Sequence, residues 1–384
     1  MVKPKILLVS HTVPENKMGG ALILFRHFIL KNDFEIGVVT NNPAAVPGVF
    51  HRHLPEPRLL SRLKKTRLNL WAEDYTHLVH SRIFDGRLYE AAREFKPDII
   101  FNVAETYVSF HAQQLAKKLG VPFAAYFMDW ATFATRSHPW AKPHMDRMYR
   151  RLYRQADLAF CISEGMKKEL GPHPNAHVLY PSGADIQLTE PPAHPANGKF
   201  TFCFAGNLYQ WYGQMVQDLV LESEDDESCG LKVFGANHQW TKEFVDDQTS
   251  KEVFHGFRPF EQLVPEFQKA DAFLLVMGFG AAEALIERTS FKTKLLDYVL
   301  FEKPVLVWGP EYSTAVELAR KFNCAFCVTD PSPKAALAGM KELAANRDLR
   351  NRLVKNATAM RETELNHHRV HSILKEQIEK LASR

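Results

Sequence analysis

The chain has 384 residues, 46% of them hydrophobic and 24% charged, with a formal net charge of +4. That length and apolar content suit two globular domains with a core each, and they exclude a disordered chain. No run of 18 or more apolar residues occurs, which excludes a membrane-spanning helix, and five cysteines set mostly in apolar runs argue for reduced buried thiols over a disulfide framework.

Charge is divided unevenly along the chain. Residues 1–185 carry 25 basic against 17 acidic side chains, a net +8, and the remainder is net −4. No helix-turn-helix, zinc-finger or RNP pattern accompanies the basic half, so nucleic acid is not an expected partner. An anionic membrane surface suits it better.

Met1-Val2-Lys3-Pro4 leads straight into Lys5–His11, a short buried strand, with no signal-peptide profile; the expected compartment is the cytoplasm. Gly19-Gly20 precedes a helical run over 21–30 and permits either close backbone approach to a ligand or a plain turn; no GxGxxG fingerprint is present. Phe34–Thr40 reads as a second strand. Over 51–71, six Arg and Lys side chains alternate with leucines and Trp71, which predicts a basic amphipathic helix. Such a helix either packs on its own domain or docks on anionic lipid, and 147–154 has the same character. The strands at 97–102 and 122–127 flank a helix at 109–119, a βαβ unit that implies a parallel sheet. Asp129 follows the second of these at its carboxyl end, where doubly wound sheets bind ligands, or else caps the next segment. Asp157–Met166 reads as strand then helix with Ser163 as cap, and the Pro-rich 191–198 as linker.

The second half opens with a strand at 200–208 and continues with strands at 231–235, 253–257 and 270–276 and a helix at 260–268. Met277-Gly278-Phe279-Gly280 forms a loop. In Ser290–Leu306 a helix with Leu295, Leu296, Val299 and Leu300 on one face, capped by Ser290 or Thr293, feeds a strand at Val305–Trp308 after Pro304. Lys292 and Lys294 with two hydroxyls at that helix start suit a phosphate. Later segments are a helix at 316–319, a strand at 325–328 and a helix at 367–381. Cys324-Ala-Phe-Cys327 lacks a second pair, and Asp225-Asp226 and Asp246-Asp247 lie in polar stretches, so no metal site is expected.

The segment Phe291-Lys292-Thr293-Lys294-Leu295-Leu296-Asp297-Tyr298, followed by Lys303-Pro304-Val305-Leu306, resembles the donor helix of GT-B glycosyltransferases, close to the retaining family four. The resemblance extends in motif order over nearly the whole chain, including Asp157–Glu164 and Tyr180–Asp185. It implies an α/β protein of two Rossmann-like doubly wound domains facing a cleft: an acceptor-side domain at 1–187, a linker at 188–198, a donor domain at 199–365 and a C-terminal helix at 366–384 that returns to the first domain. It implies Asp129 and Lys294 as catalytic residues. Gly19, Gly20, Asn207, Gly278, Phe279, Gly280, Phe291, Lys292, Lys294 and Asp297 would bind donor, Asp297 through the ribose. The implied reaction moves a sugar from a nucleotide-diphosphate sugar, a co-substrate rather than a cofactor, to a glycan or lipid-linked acceptor, with retention and without metal. Three departures stand out. Thr289 occupies the place of a glutamate, for which Glu287 or Glu283 is a substitute. Asn207 and Tyr212 replace an arginine and a lysine. Glu302 replaces the glycine before Lys-Pro, so that turn is not expected to need positive φ. A sugar-nucleotide epimerase and a donor-binding scaffold without turnover are the alternatives.

Overall fold

The computed structural model describes residues 3–16, 19–181 and 198–383, and the linker expected at 188–198 lies outside them apart from Gly198. The chain divides into two compact units. The first comprises Met1–Ser182, Thr289–Phe291 and His368–Arg384, and the second Gly183–Arg288 and Lys292–His367.

In the first unit seven strands, β1 (Lys5–Val9), β2 (Glu35–Thr40), β3 (Phe50–His53), β4 (Ile99–Val103), β5 (Phe123–Phe127), β6 (Leu158–Cys161) and β7 (Ala176–Val178), form a sheet in the order β3-β2-β1-β4-β5-β6-β7. Every pairing is parallel. Crossover helices cover both faces, so β4, β5 and β6 are buried throughout and their sequences run apolar without alternation. The strand order reverses between β1 and β4, where a doubly wound sheet opens a ligand crevice beyond its carboxyl ends.

Two expectations for this unit fail. The segment 51–71 is not one amphipathic helix. It supplies β3, paired with β2, then helix Arg58–Leu63 and the start of helix Asn69–Leu78. Pro55 and Pro57 forbid continuous helix before Arg58, and Thr66 turns the chain between the helices, its hydroxyl accepting from Leu68 N–H at 3.1 Å. The run after Gly19-Gly20 is also irregular. An α-helix over Gly19–Leu24 passes into a π-helix over Phe25–Leu30. The basic run 147–154 lies in helix Lys142–Arg154, which buries Met145, Tyr149, Leu152 and Tyr153. The closing helix, His367–Ala382, packs Val370, His371, Leu374, Ile378 and Leu381 inward.

The second unit holds five parallel strands, β8 (Phe200–Asn207), β9 (Cys229–Ala236), β10 (Ala272–Val276), β11 (Val305–Trp308) and β12 (Phe326–Val328), ordered β12-β11-β10-β8-β9. Its switch point lies between β8 and β10. The segment 253–257 is no strand; it makes one bridge, Phe254 to Val233, because Glu252 and Gly256 on either side take positive φ. Glu302 also departs from expectation, with φ +53°. The helix Lys294–Val299 ends just before it and the chain must reverse into β11, a left-handed position that glycine ordinarily fills. All five cysteines are free thiols, and Cys324 Sγ lies 3.6 Å from Met360 Sδ.

Candidate functional site

At the switch point of the second unit, β10 runs out through buried Met277 into Gly278. A Cβ on Gly278 would lie 2.7 Å from the Trp211 indole, so only glycine lets the loop pass there. The Gly278 N–H donates to Glu287 Oε1 at 2.9 Å, the Tyr212 hydroxyl to the same oxygen at 2.7 Å, and Trp211 Nε1 at 3.3 Å. Glu287 is wholly buried on the short helix Ala284–Thr289. Its other oxygen lies 3.2 Å from Lys292 Nζ, which also meets the Tyr212 hydroxyl and sits 4.6 Å above the Tyr212 ring. A buried carboxylate is tolerable because three donors and one ammonium replace its water. Burial and the Glu287 charge raise the Tyr212 phenol well above its ordinary pKa, so it stays a donor.

Further along the same segment Lys294 Nζ lies 3.5 Å from Asp297 Oδ2, both side chains partly exposed. The helix that carries them begins at Thr293 with no side-chain cap, so neither Thr293 nor Ser290 does what the sequence led us to expect. Ser290 instead donates to Asp129. Phe279 stands against Trp308 with ring centres 6.2 Å apart, and Asn207, at the end of β8, accepts from Tyr209 N–H at 3.2 Å.

In the first unit the switch point carries a group the sequence reading missed. Glu105 Oε1 accepts the Thr12 N–H at 2.7 Å and the Ser10 hydroxyl at 3.4 Å, and Oε2 the Thr12 hydroxyl at 2.8 Å. The carboxylate fastens the loop after β1 to the loop after β4, and burial raises its pKa. A carboxylate directly past an apolar strand, Val103-Ala104-Glu105, was the available signal. On the β1 side, Gly19 has φ +60°. Beyond β5, Asp129 is exposed; its carboxylate accepts from Ser290 Oγ at 3.0 Å and its carbonyl from Tyr149 at 2.8 Å. Phe291 packs on Tyr180, ring centres 5.6 Å apart. A narrow recess beyond β1 and β2 is lined by Asn41, Glu56, His80, Asp85, Arg87 and Tyr107. Burial pushes Tyr107 up to about 12 and lowers His80, so both face the recess uncharged at neutral pH.

Residues 31–186 match the model of glycosyltransferase family 4. No curated protein matches the chain. Among solved structures, a glycosyltransferase from Rickettsia africae ESF-5 superposes with a TM-score of 0.67 at 12% identity, covering 99% of this chain and 98% of that one. Anabaena Alr3699/HepE in complex with UDP-glucose superposes with a TM-score of 0.65 at 15% identity, covering 99% and 100%. A putative UDP-N-acetylglucosamine 2-epimerase from Listeria monocytogenes follows the same fold, with a TM-score of 0.58 at 12% identity and coverage of 98% and 96%. The family match thus falls almost wholly in the first unit, and the two parallel α/β units together follow the GT-B fold of these solved structures.

Proposed function

We propose that the chain transfers a sugar from a nucleoside-diphosphate sugar to a glycan or lipid-linked acceptor, with retention of the donor's anomeric configuration, as a cytoplasmic step of polysaccharide assembly. The observation that carries this reading is the constellation at the second unit's switch point: Glu287 fixed by Gly278, Tyr212 and Lys292, with Lys294 and Asp297 further along the same segment. The UDP-glucose complex of Anabaena HepE favours a nucleotide sugar as the donor class.

In this reading Asp297 accepts from the ribose hydroxyls. Lys294 then leaves the Asp297 carboxylate for the diphosphate, where negative charge grows as the sugar departs. That ammonium, rather than a metal ion, offsets the leaving-group charge. Lys292 acts at one remove, since it holds Glu287 and through it the Gly278-Phe279-Gly280 loop that would border the donor sugar. Gly19, Gly20, Asn207 and Phe291 complete the donor side. The acceptor falls to Asp129 and to the recess around Tyr107, whose mixture of aromatic face and hydrogen-bonding groups suits a saccharide.

A thermal-shift screen of UDP, GDP, ADP and dTDP tests the donor. A nucleotide at 100 times its dissociation constant adds about 2.7 kcal/mol of stability. The matching nucleotide sugar is then incubated with and without candidate acceptors. Transfer to an acceptor supports the proposal. Epimerised donor without acceptor marks an epimerase, and tight donor binding with no turnover marks a scaffold.

A further inference from the structure

Several of the first unit's exposed large apolar side chains form one stripe. Along the helix Asn69–Leu78 and just past it, Trp71, Tyr75 and Val79 recur every fourth residue and are 58%, 44% and 45% exposed. The Trp71 ring centre lies 6.1 Å from that of Trp140, itself 51% exposed. His138 stands beside both indoles, 4.7 Å from Trp71 and 6.1 Å from Trp140. Buried Asp74 fixes it, accepting from the His138 backbone N–H at 3.2 Å and lying 2.6 Å from Nδ1. The aromatic group is thus held in place yet left uncovered by its own unit. Single exposed apolar side chains are ordinary, but a contiguous group braced by a buried carboxylate marks an interaction surface.

Charge indicates the partner. Exposed Arg62, Lys65 and Arg67 precede the stripe, and exposed Arg147 and Arg151 lie on the neighbouring helix Lys142–Arg154. The carboxylates of the region are already matched: Glu56 and Glu73 to Lys64 at 2.6 and 2.9 Å, Asp74 to His138, and Asp146 to Arg150 at 3.0 Å. Among the described residues, the surface therefore presents aromatic rings amid positive charge without a paired carboxylate. A second copy of the chain would meet it with charge of the same sign.

We propose that this surface docks on an anionic lipid bilayer, with Trp71, Tyr75 and Trp140 entering the headgroup boundary and the flanking Arg and Lys side chains meeting lipid phosphates. Tyr and Trp concentrate at that depth because one end of each is apolar and the other polar, and basic side chains reach phosphates from beside them. Rings and cations are both needed, since one weak signal gives only marginal attachment. The docking stands independently of the transfer reading, because it concerns one face of the first unit and is measured without substrate.

The test is sedimentation of the full chain with vesicles of phosphatidylcholine alone and of phosphatidylcholine mixed with phosphatidylglycerol. Binding should be about tenfold or more stronger to the anionic vesicles and should weaken with salt. The Trp71→Ala/Trp140→Ala pair should lose most of it, and Arg62→Glu/Lys65→Glu/Arg67→Glu nearly all, with thermal stability unchanged because these side chains are exposed. Brominated lipid should quench wild-type tryptophan emission more than that of the milder Trp71→Phe/Trp140→Phe protein. Equal recovery with both vesicle types, full binding by the tryptophan variants, or a lipid-free dimer that those variants dissociate would each overturn the proposal. So would equal affinity for soluble nucleic acid that displaces the vesicles.

Discussion

Lys292 Nζ lies 3.2 Å from a carboxylate oxygen of Glu287, a residue that solvent does not reach. The pair is a structural commitment: removing the ammonium strands a charge inside the second unit, at a cost of about 3–5 kcal/mol. Lys292→Met should lower the calorimetric Tm by roughly 6–20 °C, at about 2–4 °C per kcal/mol for units of this size. Adding Glu287→Gln should restore much of the loss, since a neutral amide keeps part of the hydrogen bonding without the charge. A Tm within about 2 °C of wild type for Lys292→Met would show that the pair is not buried as described.

Lys294 is expected to behave in the opposite way. Its ammonium is partly exposed and its partner Asp297 sits one turn away on the same helix, so the ion pair itself contributes little to stability. If it meets the leaving diphosphate, losing about 2–4 kcal/mol of transition-state stabilisation lowers kcat/KM roughly 30- to 1000-fold. Lys294→Ala should show that loss with Tm nearly unchanged, and Lys294→Arg should recover part of it. Asp297→Ala should weaken nucleotide titrations across the whole donor series. Unchanged kcat/KM in Lys294→Ala removes this lysine from the chemistry.

Asp129 tests the acceptor side separately. Its carboxylate is exposed and accepts one hydrogen bond from Ser290, which an Asn side-chain oxygen can still accept. Asp129→Asn should therefore fold normally and bind nucleotide as the parent does, while transfer to acceptor falls. Equal losses in nucleotide affinity and in turnover, seen by titration and steady-state kinetics, would exclude an acceptor role.

What was legible in the sequence divides along physical lines. Strands buried on both faces declare themselves as short apolar runs, so β4, β5, β8, β10 and β11 and the parallel sheets they imply could be read directly. The segment at 51–71 was misread because alternating Leu and Arg satisfies helical spacing while Pro55, Pro57 and the Thr66 turn, which are local, divide it. The site was half legible. Lys292, Lys294 and Asp297 are close in sequence, whereas the Glu287 cluster draws Tyr212 and Trp211 from some 75 residues away, and Glu105 meets Thr12 across 93. Only the strand order makes those neighbours. Glu287 had been named as a substitute for the family glutamate, but nothing in its local sequence announced complete burial.

Glu302 is the clearest case of a residue at odds with its backbone. It holds φ +53° with an exposed side chain, and its ion pair with Arg361, at 3.7 Å, is solvent-screened and weak. A non-glycine residue in the left-handed region costs on the order of 1 kcal/mol or more. Glycine relieves it and gives back part through extra freedom of the unfolded chain. Glu302→Gly should be neutral to stabilising, by about 0.5–1 kcal/mol in a urea titration. Glu302→Val, β-branched, should destabilise. Matched losses from both substitutions would contradict the backbone assignment.

His27 makes stability depend on pH. It is buried on the π-helical turn, its Nδ1 3.2 Å from Nδ1 of His371 on the closing helix, with the rings stacked 5.5 Å apart. One ring can donate to the other only while the acceptor is neutral. Burial first, then the charges of His371, Arg26 and Lys31, lower the His27 pKa from 6.5 to about 3. Asp33 faces the group from the other side, bonded to His371 at 2.8 Å and to Lys375 at 2.7 Å, and its lowered pKa keeps it ionised well below pH 6.5. Below pH 6.5 the unfolded chain takes up a proton that folded His27 refuses, so folding stability falls with pH by about 1.4 kcal/mol per unit until the folded pKa is reached. Between pH 6.5 and 4.5 that amounts to roughly 2–3 kcal/mol from this residue alone. His27→Phe, which keeps the volume and loses the titration, should be less stable than wild type at pH 7 and should lose correspondingly less on acidification. Urea midpoints at pH 7 and 4.5 for both proteins measure the difference, and an equal fall in the two would assign the acid sensitivity elsewhere.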